Sequence, residues 1–314
     1  MREQVASVTT LHAATPARRA FAAAAVREQI RDLLRGGSTS TRAMLGSLLR
    51  ARREIAEQLA RGGTEFDAFR SEQMVRAINA EIARLRFRLQ SEFTRSLRTT
   101  AALGAQHAQA QAVVVLEADV PGLIGVDPTV IRFAEQNSAD LVGKLTEDLR
   151  SQLNLAMRSS ATGAATTADV QRKVGDVLRR ADRDPGVFGK MATQIERVHR
   201  TEVARVYEGA KTVRERQVAR SSPFEMFTRW IAIMDGRTRV EHRQMNGATI
   251  PVGEHFNFGA GPTWSKVSYE QAGRDGGTLG TRVMGPHDSN LGAKDAVNCR
   301  CTKGLVKGKR KAGA

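Results

Sequence analysis

Apolar residues at Leu45, Leu48, Leu49, Ile55 and Leu59 recur at helical spacing, and Gly62-Gly63-Thr64 interrupts the run. A second stripe of Ile78, Ile82, Leu85 and Leu89 steps by four, three and four residues with Arg and Glu between, as in a helical hairpin or a coiled-coil seam. An ordinary bundle face gives the same pattern, so the stripe does not say where its partner lies. Ahead of both, residues 1–35 mix Ala, Thr and Arg and run into Gly36-Gly37, which predicts a tail or a fraying helix. The run from Ala112 to Val120 is rich in valine and reads as extended, and Pro121-Gly122 then breaks it.

After Pro128, Leu141, Leu145, Leu149, Leu153 and Met157 mark one face of a long helix. Small residues from Ser159 to Thr167 predict a loop, and Thr166-x-x-Asp169 loosely matches a capping box before Val170, Val174, Val177 and Leu178. Asp184-Pro185-Gly186 ends that helix, and the next, about Gly189 to Ala219, carries Ile195, Val198, Val203, Val206 and Val213. Helical periodicity stops at Ser221-Ser222-Pro223. Alternation then predicts a strand from Met226 to Met234, an Asn246-Gly247 turn and a short strand around Ala248 to Val252, with loop over 262–281. The expected fold is therefore mainly α. An elongated N-terminal helical region (1–122) and a helical middle (123–220) precede a small α+β domain with short strands and long loops (221–303) and a disordered basic tail (304–314).

Charge adds a partner class to this outline. The chain has 314 residues with 49 Lys and Arg against 33 Asp and Glu, a net charge of +16. Such a surplus favours a polyanion such as DNA, and Lys303, Lys307, Lys309, Arg310 and Lys311 would be the phosphate contacts of a free tail. The plain alternative is a solvated arginine-rich surface, since no Lys occurs before Lys144. No apolar run reaches 18 residues, so no membrane partner is expected, and the Ala-rich stretch after Arg18-Arg19 is too short for a signal peptide. The two cysteines, Cys299 and Cys301, are too close in sequence for an unstrained mutual disulfide, which points to reduced thiols in a cytoplasmic protein.

Both cysteines, both tryptophans and three of the six histidines fall between Trp230 and Cys301. His242, His287, Cys299 and Cys301 are the right residue types for one structural zinc, and a glycine-rich, strand-poor segment gains most from such a staple. Cys-x-Cys is a tighter spacing than the familiar Cys-x2-Cys, and two buried cysteines beside ordinarily bonded histidines fit the sequence equally well. His255 is a substitute for either histidine. Asp235 and Thr238 read as turn residues with Arg237 as their ion-pair partner, the functional alternative being an acid or metal partner at Asp235. Arg200 and Glu202 point to different helix faces and do not pair with one another, so each is expected to reach towards the cysteine-bearing domain. No nucleophile elbow, phosphate-binding loop or dinucleotide fingerprint occurs, and catalysis is not indicated.

The ordered set of Arg200-Thr201-Glu202, Trp230, Asp235-x-Arg237-Thr238, His242, Gly247, Pro286-His287 and Asn298-Cys299-Arg300-Cys301 resembles the phage minor head protein family, the head-morphogenesis group of phage Mu F-like proteins. The likeness covers roughly residues 190–303, and the helices from Pro128 onward resemble the stretch that precedes that motif region. It implies a virion or prohead protein in few copies, made in the host cytoplasm and associated with the portal or major capsid protein. It further implies a role in head assembly, packaging of double-stranded DNA or its ejection, and no enzymatic activity. Two other classes compete with it. One is a sequence-independent DNA-binding protein inside the capsid. The other is an enzyme, either a metal-dependent hydrolase using His242, His287 and Asp235 or a transferase-like effector using Arg200 and Glu202.

Overall fold

The computed structural model describes residues 16–61, 68–117, 128–161, 167–178, 186–236, 238–258, 281–288, 290–291, 293–296 and 299–311. Helices α1 (Pro16–Arg61), α2 (Ala68–Leu116), α3 (Pro128–Ala161), α4 (Thr167–Leu178) and α5 (Gly186–Ser221) come first. Then follow β1 (Phe224–Ile231), α6 (Val240–Met245), β2 (Thr249–Pro251), β3 (Phe256–Asn257), β4 (Arg282–Val283), α7 (Ala293–Ala296) and β5 (Thr302–Arg310). The fold is mainly α with a small antiparallel β region at its C-terminal end, as the hydrophobic pattern predicts. No described helix is long and apolar enough to cross a membrane.

Contacts divide the chain into two units that cut across the expected boundaries at 122 and 220. One comprises Gly37–Ser96 and Glu135–His199; the other comprises Met1–Gly36, Leu97–Ala134 and Arg200–Ala314. The first unit is a helical bundle. Met44, Leu48, Ala51, Ile55 and Leu59 of α1 meet Met74, Ile78, Ile82, Leu85, Leu89 and Phe93 of α2 in one core, together with Leu149, Leu153 and Met157 of α3 and Ile195 of α5. The coiled-coil-like stripe is thus internal packing. A buried histidine ties three of these helices together: His199 Nδ1 lies 2.9 Å from Thr41 Oγ1, and its Nε2 lies 2.8 Å from Ser96 Oγ.

Two expectations give way to tertiary packing. Helix α1 runs unbroken through Gly36-Gly37; each glycine costs about 1 kcal/mol relative to Ala, an amount the buried stripe that follows can offset. Ala112 to Leu116 is helical rather than extended. Ala112 is fully buried against Val218, Met226 and Leu305, with Val115 and Leu116 packed beside it, and that burial overrides the β preference of valine. The breaks near 62–64 and 118–127, Thr166 of the capping box, and the loop over 262–281 apart from Thr281 fall outside the described residues.

In the second unit, the last turns of α2 lie against α5 through small residues: Leu97, Ala101, Ala105, Ala108 and Ala112 are all buried. The approach is closest at Gly104, where an added Cβ would run into the Tyr207 carbonyl oxygen. One turn on, His107 Nδ1 meets the Tyr207 hydroxyl at 2.7 Å. Beyond α5 the three-stranded sheet has the order β2-β1-β5, all antiparallel, with Ile231 opposite Thr302 and Phe224 opposite Arg310.

Strand β5 corrects the expected disordered tail over 304–314, of which 304–310 are strand and 312–314 lie outside the described residues. Thr302 to Leu305 are buried, and three of the five basic residues have fixed partners, while Lys309 and Arg310 are exposed. Lys303 is 1% exposed and pairs with Glu215 at 3.1 Å, Lys307 sits 4.7 Å over the Phe224 ring, and Lys311 donates to the Ala219 and Ser222 carbonyls at the end of α5. Lysines on an edge strand also discourage pairing with a second chain.

Two glycine substitutions separate local from tertiary effects. Gly46 is exposed in α1 with nothing near its missing side chain, so Gly46→Ala should stabilise the protein by about 0.5–1 kcal/mol. Gly104→Ala should destabilise it by about 1–3 kcal/mol through overpacking. Chemical denaturation of the two variants checks the opposite signs.

Candidate metal centre

The second unit's apolar end is built around Trp230, which is fully buried on β1. Phe256 stands edge-on to it at 5.5 Å and Phe258 lies tilted at 5.9 Å, while His242 packs edge-on against Phe258 at 5.4 Å. Met245, Val283, Leu291 and Ala296 complete this shell around Cys299 and Cys301. The chain reaches it by a short detour. After β1 it forms α6, which carries His242, and then returns through Asn246-Gly247, where Gly247 adopts φ +85° and donates to the Trp230 carbonyl at 2.9 Å. The predicted Asn-Gly turn is therefore the exit from a helix rather than a two-residue hairpin loop.

Within this shell the His242 Nδ1 atom lies 3.3 Å from Cys301 Sγ and 3.4 Å from Cys299 Sγ. The three donor atoms lie within 4.8 Å of one another, and all three residues are buried. For a tetrahedral zinc with ordinary Zn–S and Zn–N lengths, neighbouring N and S ligands stand about 3.5 Å apart. The cluster is therefore already close to ligating dimensions, and it can hold a metal ion. The Cys301 backbone N–H points to Cys299 Sγ at 3.4 Å, so the tight Cys-x-Cys turn brings its own amide to a sulfur. On the far side of the imidazole, Nε2 faces the buried Asp295 Oδ1 at 3.9 Å, in the place where a carboxylate orients a metal-bound histidine.

The electrostatics agree with a cationic centre. A hydrogen bond from the Cys299 thiol lowers the Cys301 pKa against the opposing effect of burial, and the same bond, with burial, raises that of Cys299. For His242, burial alone would lower the pKa, but the facing Asp295 carboxylate and the contact with Cys299 outweigh it and raise the value to about 9. Without metal, the imidazole thus holds a proton beside the two cysteine sulfurs. A divalent cation supplies the same positive charge at Nδ1, with release of that proton.

His287 approaches from a separate loop. It is 4% exposed, has φ +65°, and its Nδ1 is buried without a hydrogen-bond partner among the described residues. Its ring acts on the Cys299 thiol, favouring the thiolate through charge and hydrogen bonding. His255 is exposed and has no such position.

The remaining motif residues hold this arrangement. Arg300, between the cysteines, grips Asp235 with two hydrogen bonds of 2.6 Å, and Thr238 Oγ1 donates to Asp235 Oδ1 at 3.1 Å and also to the Ile233 carbonyl. The Asp-x-Arg-Thr and Cys-Arg-Cys motifs are thus two halves of one clamp. Asp235 has Arg300 as a partner; the expected pairing with Arg237 lies outside the described residues, as does Asn298. Glu202 is buried and pairs with Arg205 at 2.6 Å, and Arg205 Nε donates to the His287 carbonyl at 3.3 Å, while Arg200 is exposed. Sequence reasoning passed over Arg205, although its i,i+3 spacing from Glu202 is a readable signal. It also missed Asp295, Phe256 and Phe258, for which a single sequence carries no mark.

The family model described as Phage Mu protein F like protein matches residues 143–303, a span from within α3 to the buried Lys303. No curated protein and no solved structure matches the chain.

Asp235→Ala and Arg300→Ala should each destabilise the fold, and the double variant should show a coupling of about 1 kcal/mol, modest because both groups are partly exposed. Additive single effects in a denaturation cycle would mean that the clamp does not act as one.

Proposed function

This chain belongs to the family of Phage Mu F-like proteins, and on that premise we propose that it is a structural minor head protein stabilised by one zinc ion. Membership makes it a phage head-related protein. The finer reading is a portal- or capsid-associated protein present in few copies that aids head assembly and DNA packaging in the host cytoplasm and stays with the virion until DNA ejection.

The observation that supports a structural rather than enzymatic role is the burial of the centre. Two thiols and an imidazole converge in a shell of Trp230, Phe256 and Phe258. His287 lies outside this group of three; a turn of its ring towards the sulfurs would make the set two sulfurs and two nitrogens, a soft, closed shell for zinc with no position for a substrate. Zinc there would supply the cation that lets both thiols ionise; the chain's own residues hold the ligands in place through Asp295, the Asp235–Arg300 clamp and the Glu202–Arg205 link to the His287 loop.

Packaged DNA is a natural neighbour for a net charge of +16. The contact would be made by exposed arginines and by Lys309 and Arg310, since Lys303 is buried and Lys311 is engaged with the end of α5. Portal oligomers and capsid-protein shells mixed with the purified chain under assembly conditions should carry it down on sedimentation, at fewer copies than the capsid protein. A chain that stays in the supernatant with both particles would overturn the assembly role.

A further inference from the structure

Next to the metal loop, the second unit contains a pocket of about 310 Å³. Its walls are the start of α3, the middle of α5, the loop 284–288 and Lys303. One side is apolar, with Val130, Val213 and Phe133, and Phe133 is 53% exposed at the rim. The polar side has two charged groups of opposite kinds. Arg216 donates to Met284 Sδ at 3.4 Å, a weak acceptor, and has no carboxylate partner among the described residues. Glu208 is 4% exposed, and its buried Oε2 has no hydrogen-bond partner among the described residues. Burial also raises the Glu208 pKa.

The volume is at the lower end for small-ligand sites and suits one or two side chains. An exposed aromatic on an open rim favours an occupant that continues outside the pocket. We propose that this pocket receives a short acidic–apolar segment of another protein, with an Asp or Glu carboxylate meeting Arg216 and a neighbouring apolar side chain covering Phe133 and Val213. The segment's backbone N–H groups are within the chemistry that Glu208 lacks. Charge complementarity selects the partner: arginine with only a thioether to bond is an incomplete bidentate site for a carboxylate. The metal loop forms one wall, so the partner site and the staple share residues 284–288.

This inference rests on the reading of the chain as an assembly protein, because it assigns the pocket to protein contacts. The test is fluorescence anisotropy with a labelled peptide of sequence Gly-Ser-Leu-Glu-Leu-Ser-Gly and its lysine counterpart, in which lysine replaces glutamate. The full chain should bind the glutamate peptide in preference. Arg216→Glu, with its melting profile and that of Arg216→Gln recorded as folding controls, should weaken that binding at least about tenfold and favour the lysine peptide instead, the size expected for loss of one charge-assisted pair. Phe133→Ala should weaken both. Equal binding of the two peptides, no binding at millimolar peptide, or displacement by an equal concentration of inorganic phosphate would overturn the pocket assignment. Sedimentation with head particles is scored separately: a chain that sediments but ignores the peptide loses only the pocket, and one that binds the peptide but never sediments keeps the pocket and loses the assembly role.

Discussion

A thiolate in an apolar shell is tolerable only beside a positive charge. Cys299 and Cys301 are 8% and 5% exposed, and the cation offered by the chain itself is the imidazolium of His242. Much of the C-terminal half follows from keeping these three groups together. Strand β1 places Trp230 as the floor, α6 brings His242 over it, and β5 starts at Thr302, directly after the Cys301 that meets the imidazole. The Asp235–Arg300 clamp acts on the residue between the sulfurs, so it controls the backbone turn that lets both thiols face one point. A metal ion in that position replaces a proton and strengthens an arrangement the fold has already made.

The same strand is secured a second time by buried charge. Glu208, Lys211 and Glu215 lie on one face of α5; Lys211 donates to Thr302 Oγ1 at 3.0 Å and to the Lys303 carbonyl, while Lys303 pairs with Glu215 and bonds Thr212. Two lysines and two glutamates in the interior add little net stability compared with apolar packing, but removing one partner strands the others and is strongly destabilising. Such a network specifies register. It fixes which residue of β5 stands opposite which residue of β1, and thereby where Cys301 falls.

Local patterns made the helices and β1 readable, because a 3.6-residue stripe that ends at Ser221-Ser222-Pro223 and gives way to alternation needs no knowledge of partners. The residues brought to the centre were visible too, as an unusual concentration of His, Cys and Trp. What the sequence concealed depends on distant partners. Ala112 to Leu116 is helical because Val218, Met226 and Leu305 cover it. The basic end is a strand because β1, some eighty residues earlier in sequence, supplies its hydrogen bonds. Asp235 takes Arg300, some sixty-five residues away in sequence, for the same reason: the partner comes from a distant part of the chain. The spacing between His287 and Cys299 is filled by α7, which presents Asp295 to His242, a role that no local pattern encodes.

The central claim is that residues 230–301 form a module held by a metal at His242, Cys299 and Cys301, and the most direct measurement is the metal content of the purified chain by elemental analysis, before and after dialysis against a chelator. About one zinc per chain is expected, with chelation loosening the C-terminal region while the helical bundle stays folded. A chain that purifies without metal and whose C-terminal region melts identically with and without chelator would contradict the account, and would leave apolar packing and the Asp235–Arg300 clamp to hold the cluster together.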